Sequence, residues 1–201
     1  MNYRRPSLVA AACVASLLVL IAGCDKDKKG VEPPAELVDL KPTLAVQKLW
    51  DTSVGGGGEK LRLALSLALD RGVLFTAARD GEVVALDPAT GRVKWSQDTK
   101  ADLAAGPGVG ASVVAVGTSD GKVIALDVAS GKVLWQASVS SEVLAAPLVT
   151  GDRVVVRSVD GRVHALDALT GRSQWTGEEP VPKLSLRGTA SPVLAKDNIV
   201  A

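Results

Sequence analysis

Short runs of Val, Ile, Leu and Ala alternate with polar punctuation through most of this chain, and the punctuation recurs in the same order. Asp160-Gly161 stands between two β-branched runs, the signature of a two-residue hairpin. Asp167 followed by Thr170-Gly171 marks a second hairpin, because an Asp carboxylate can accept from the backbone N–H groups of its own turn. The pattern around these turns predicts four strands: Val143–Thr150, Arg153–Ser158, Val163–Asp167 and Ser173–Thr176. No helical periodicity accompanies them. Upstream, Leu61, Leu63, Leu65, Leu67 and Leu69 alternate strictly and predict another strand, with Gly55-Gly56-Gly57-Gly58 before it read as a flexible loop.

The same unit is written three times without gaps. Asp80-Gly81-Glu82-Val83-Val84-Ala85-Leu86-Asp87 leads through Thr90-Gly91 to Trp95. Asp120-Gly121 to Asp127 leads through Ser130-Gly131 to Trp135, and Asp160-Gly161 to Asp167 leads through Thr170-Gly171 to Trp175. The three Trp residues are spaced by 40 positions. A strand-rich repeat of about that length predicts the blades of a β-propeller. Ala85, Ala125 and Ala165 are small enough to let neighbouring sheets approach closely. Trp50 is a fourth repeat Trp, and Lys48–Val54 around it is read as a closing strand. At the other end Ser191-Pro192-Val193-Leu194 matches Ala146-Pro147-Leu148-Val149, so another blade begins there. The expected fold class is all-β, an incomplete N-terminal arc of about three four-stranded blades plus a partial one, over residues 47–201.

Residues 1–46 have a different character. Arg4 and Arg5 precede an apolar run, Ser7–Ile21, which is short for a membrane span and fits a signal peptide. The run ends Leu20-Ile21-Ala22-Gly23-Cys24, which resembles a bacterial lipobox. That resemblance makes residues 1–23 the leader and Cys24 the lipidated mature N-terminus. Asp25-Lys26-Asp27-Lys28-Lys29-Gly30, with Pro33, Pro34 and Pro42, then reads as a solvated tether over 24–46. Its length from Cys24 to Pro42 gives a reach of about 60 Å if extended. Cleavage would leave 21 Lys+Arg against 22 Asp+Glu, a net charge of −1, which offers no electrostatic case for nucleic acid.

Chemistry is sparse. His164 is the single His, and it holds the strand position occupied by Val84 and Ile124 in the sister units, so it reads as a partly buried strand residue. The series Asp80, Asp120, Asp160 and Asp87, Asp127, Asp167 keep step with the turns and read as turn acids. No metal-ligand spacing and no phosphate-binding loop is apparent, so no cofactor and no metal are expected. The one informative irregularity is an insertion. Trp95 to Pro107 and Trp135 to Pro147 are 12 positions each, but Trp175 to Pro192 is 17. The added residues carry Leu184-Ser185-Leu186-Arg187, in which the two Leu share a side of an extended backbone. A second insertion, near the Gly run of the first unit, has no functional reading.

The unit Asp-Gly-x-Val-x-Ala-Leu-Asp-x-x-Thr-Gly-x-x-x-Trp resembles the repeat of quinoprotein-type β-propellers, in which the Trp packs between blades. With the lipobox, and with Pro182-Lys183-Leu184-Ser185-Leu186-Arg187-Gly188, the chain resembles the BamB family of eight-bladed propeller lipoproteins of the outer-membrane β-barrel assembly complex. The resemblance implies a non-enzymatic scaffold, lipid-anchored at the periplasmic face of the outer membrane. It implies binding to BamA periplasmic domains and other Bam subunits through Leu184, Leu186 and Arg187, and contact with nascent outer-membrane β-barrel proteins. Asp25 after the Cys is the residue that favours inner-membrane retention in enteric bacteria. A quinoprotein dehydrogenase fragment and a generic periplasmic binding propeller are the alternative readings.

Cys24→Ser is expected to release the protein from membranes, since the tether holds no other apolar anchor. Membrane fractionation at high salt checks this, and a variant that stays membrane-bound contradicts the lipoprotein reading.

Overall fold

The computed structural model describes residues 34–39, 41, 43–57, 63, 65–178 and 190–201. The chain separates into two units, Met1–Val46 and Gln47–Ala201. The described residues of the first form no helix or strand. The second consists of antiparallel sheets, none closed into a barrel.

Three sheets have four strands each, ordered as in the sequence. The first blade is β1 (Ala68–Asp70), β2 (Val73–Ala77), β3 (Glu82–Leu86) and β4 (Val93–Asp98). The second is β5 (Leu103–Gly110), β6 (Val113–Thr118), β7 (Lys122–Asp127) and β8 (Val133–Ser138). The third is β9 (Leu148–Val149), β10 (Arg153–Arg157), β11 (Arg162–Asp167) and β12 (Ser173–Glu178). A hairpin of β13 (Val193–Ala195) and β14 (Asn198–Val200) follows. Such meanders are the blades of a propeller arc.

Burial follows from stacking these sheets. One face of β6 and β7 (Val114, Val116, Ile124, Leu126) packs with Phe75, Ala77, Val83 and Ala85 of the first blade. The opposite face (Val113, Ala115, Val123, Ala125) packs with Val154, Val156 and Leu166 of the third. The middle blade is therefore apolar on both sides, which explains unbroken runs such as Val123-Ile124-Ala125-Leu126. Ala85, Ala125 and Ala165 are fully buried, and each lies opposite the repeat Trp of the next strand. The register shifts at the following residue in all three blades, a bulge repeated with the motif.

The innermost strands differ from the expectation. The sequence pattern predicts one strand over Val143–Thr150, yet only Leu148–Val149 pairs. Val143 N–H instead donates to Thr118 of the second blade, and Pro147 has no N–H for a ladder. Of the Leu alternation, Leu61 lies outside the described residues, Leu63, Leu65 and Leu67 are not in a strand, and the strand covers Ala68–Asp70. Leu67 and Leu69 are exposed, while Ala68 packs on the core. Lys48–Val54 forms no strand, although the Trp50 side chain does engage the first blade. The Gly run is pinned where the structure describes it: Gly55 N–H donates to Glu82 Oε2 at 2.8 Å and Gly56 N–H to Asp80 Oδ2 at 2.7 Å.

Gly131 has φ +73°, and a Cβ built there would lie 2.5 Å from the Trp95 ring. Gly131→Ala is expected to cost about 2 kcal/mol or more, from left-handed strain plus displacement of the ring. Gly151, with open space around it, should change by no more than about 0.5 kcal/mol as Gly151→Ala. Urea denaturation of both variants checks the difference.

Candidate functional site

The blades are joined by a device built from the repeat itself. Trp50 Nε1–H donates to the Pro88 carbonyl at 2.9 Å, Trp95 to Val128 at 3.0 Å and Trp135 to Ala168 at 2.9 Å. Each acceptor lies in the hairpin between the third and fourth strands of the next blade. Each indole also lies on the glycine closing that hairpin: Gly91, Gly131 and Gly171, with φ of +70°, +73° and +71°. A Cβ would meet the ring at 2.5 to 2.6 Å in each case, so the glycine is required both by conformation and by the ring it receives. The hairpin is held ready by its acid. Asp87 Oδ1 accepts from Thr90 N–H and Thr90 Oγ1–H, as Asp127 does from Ser130 and Asp167 from Thr170.

These hydrogen bonds hold the Asp87, Asp127 and Asp167 carboxyls below the usual carboxylate range, the hydroxyl of residue 90, 130 or 170 contributing most. The other acid series is less uniform than its sequence suggests. Asp120 accepts from Thr118 Oγ1 and Asp160 from Ser158 Oγ, both at 2.5 Å. In the first blade Ala78 stands where those hydroxyls would be, and Asp80 holds Gly56 instead. The missing hydroxyl is readable in the sequence; the new partner is not.

Trp175 ends the series with 39% of its surface exposed. With Val163, Gly177, Glu178, Ile199 and Ala201 it lines an open recess of about 280 Å³. Leu184, Leu186 and Arg187 lie outside the described residues, as does Cys24. The described residues flanking the insertion, Glu178 and Ala190, place it directly after β12. His164 lies within β11, 8% exposed. Its Nε2 is 3.0 Å from Ser140 Oγ and 3.2 Å from Ser158 Oγ, and its Nδ1 is 3.4 Å from Thr176 Oγ1. Among the described residues no group of three or more His, Cys, Asp or Glu is placed to hold a metal ion.

Tryptophan-clasped, four-stranded blades with this repeat define a β-propeller of the quinoprotein type. The family model described as "Outer membrane protein assembly factor BamB" matches residues 46–104 and 79–201, and the chain belongs to that family. Curated relatives agree. The BamB of Pseudomonas aeruginosa is 41% identical over 105 residues, 52% of this chain and 28% of that protein. The BamB of Burkholderia pseudomallei is 36% identical over 116 residues, 58% of this chain and 29% of that protein. The crystal structure of BamB from Moraxella catarrhalis superposes with a TM-score of 0.61 at 32% identity, covering 68% of this chain and 41% of that one. The matched region thus spans less than a third of the length of these curated relatives.

The turn acids generate a pH prediction. A carboxyl held low in the folded state stabilises the fold fully above its unfolded pKa, near 3.9, and that stability is lost as pH falls through the folded value. The protein should therefore lose stability below about pH 4, and Asp127→Asn should lose less over that window. Thermal midpoints between about pH 2.5 and pH 6 check this.

Proposed function

We propose that this chain is part of a non-enzymatic scaffold lipoprotein of the outer-membrane β-barrel assembly machinery. Residues 1–23 are its leader, Cys24 with the following segment to 46 its lipid anchor and tether, and 47–201 its propeller region. It faces the periplasm from the outer membrane, binds BamA and assists folding and insertion of outer-membrane barrels. The family match across residues 46–201 carries this reading. The curated relatives bear the name of an assembly factor, which agrees with it.

The chemistry of the insertion supports a protein partner. Leu184 and Leu186 are two apolar residues at the i, i+2 spacing that shares a side in extended backbone, and Arg187 follows them in sequence. A few well-packed residues at an interface centre carry most of the affinity, and Arg is enriched among them. The regular blades provide no equivalent, since the corresponding linkers after Trp95 and Trp135 lack the additional residues.

Truncation of Leu184, Leu186 and Arg187 together to Ala is expected to weaken BamA binding by far more than tenfold, at about 2 kcal/mol for each anchor lost. The thermal midpoint should stay nearly unchanged, as for other surface substitutions of about 0.5 kcal/mol. Asp120→Ala is the control, perturbing a turn without touching the insertion. Unchanged affinity in the triple variant would defeat the proposal, and a large loss of thermal stability would make the two Leu structural.

A further inference from the structure

Val84, Ile124 and His164 occupy the same position of β3, β7 and β11. Ile124 is fully buried in the apolar junction of the first two blades. His164 pairs with Val156 across β10 and β11, and so shares the face on which Val154, Val156 and Leu166 pack against the second blade. One blade junction is thus dry at this position and the next contains an imidazole.

The polar partners fix what that imidazole does. Ser158 Oγ donates to the Asp160 carboxylate at 2.5 Å. Its proton being committed, Ser158 can only accept from His164, so Nε2 carries the hydrogen and Nδ1 accepts from Thr176 Oγ1. This tautomer cannot take a proton from Ser140, so the Ser140–His164 contact is not a nucleophile and its base. It ties three pieces together: the linker from the second to the third blade, the end of β10, and β12. The linker is also sandwiched by backbone bonds, with Val143 N–H donating to Thr118 of the second blade and Val159 N–H of the third donating to Glu142.

Protonation would turn Nδ1 from acceptor to donor and bury a charge. Around the ring, Asp160 on the β10–β11 turn favours the charged form and Arg162 on β11 opposes it. Arg162 also faces Glu178 of β12 at 3.7 Å, the linker carries Glu142, and on the facing turn of the second blade Lys122 is paired with Asp120 at 2.5 Å. Burial is the largest influence and holds the imidazole below its ordinary value.

We propose that His164 is an acid-sensitive latch between the second and third blades. Neutral, it fastens the 139–147 linker to β10 and β12; protonated, it loosens that junction while the apolar junction before it is unaffected. A base held low when folded adds stability that is complete above its unfolded pKa, near 6.5, and is lost as pH falls from there toward the folded value. The latch depends on this geometry alone and not on the partner reading above.

Amide hydrogen exchange on the protein at about pH 7.5 and about pH 5, corrected for intrinsic rates, tests it. Val159 N–H and Ser119 N–H are equivalent probes: Val159 donates to Glu142 in the linker between the second and third blades, and Ser119 to Asp102 in the linker between the first and second. Protection at Val159 should fall by about threefold or more on acidification while Ser119 holds, and His164→Val should abolish the difference. Equal responses at the two amides, or a difference that persists in His164→Val, would overturn the latch. If that variant does not fold, the imidazole titration of the unmodified protein decides: a midpoint below about 6.5 supports the latch, and one at or above it refutes it.

Discussion

The architecture depends on one contact made repeatedly: an indole laid on the closing glycine of the next blade's hairpin, with its N–H given to that hairpin's carbonyl. A buried Trp N–H needs a hydrogen-bond acceptor, and here the ring face lies so close to the turn that only a residue without a side chain fits beneath it. The hairpin supplies both from one short turn. Trp95 and Gly131 show the full arrangement, with the acceptor carbonyl at Val128 and the turn braced by Asp127 and Ser130. The sheets stack through non-directional apolar faces, and the indole N–H adds a directional bond between successive units. Each blade is thereby fixed by its predecessor, as expected for a repeat whose stability resides in neighbour interfaces.

Much of this was legible because it is periodic. The 40-residue spacing, the Asp-Gly hairpins and the Asp-to-Thr/Ser turns all follow from residue types whose conformational demands are local. What was not legible is where one blade meets another. Gly91, Gly131 and Gly171 read as hairpin residues; that each is also a seat for a ring arriving from 41, 36 and 36 positions upstream is long-range information. The innermost strands are shorter than their composition predicts for a similar reason. Val143 belongs by composition to a strand, but its N–H is taken by Thr118 in the preceding blade. Leu67 and Leu69 alternate as strand residues should, yet stay exposed. The candidate partner residues stand out only as an interruption of the period, and the resemblance, not the physics of the repeat, implies their role.

The departures from periodicity concentrate the specific chemistry. Replacement of a hydroxyl by Ala78 lets Asp80 anchor the glycine segment. Replacement of Ile124 by its counterpart His164 turns one dry junction into a polar one. The insertion that follows β12 in sequence adds two Leu and an Arg to a repeat otherwise written to pattern. Two of these, His164 with its bond to Thr176 of β12 and the insertion that follows β12, fall on the third blade. The repeats hold the blades in position, and the exceptions set local chemistry: a pinned glycine segment on the first blade and a polar junction on the third.

The proposed function has the propeller engage the assembly machinery through the insertion. Site-specific photocrosslinking from position 186 in living cells tests it directly, with position 134, an exposed Leu on the outer strand of the second blade, as the reference. The account predicts an adduct with the periplasmic domains of BamA from position 186 and none from position 134. An adduct with BamA from position 134 alone, or from neither position, would contradict it.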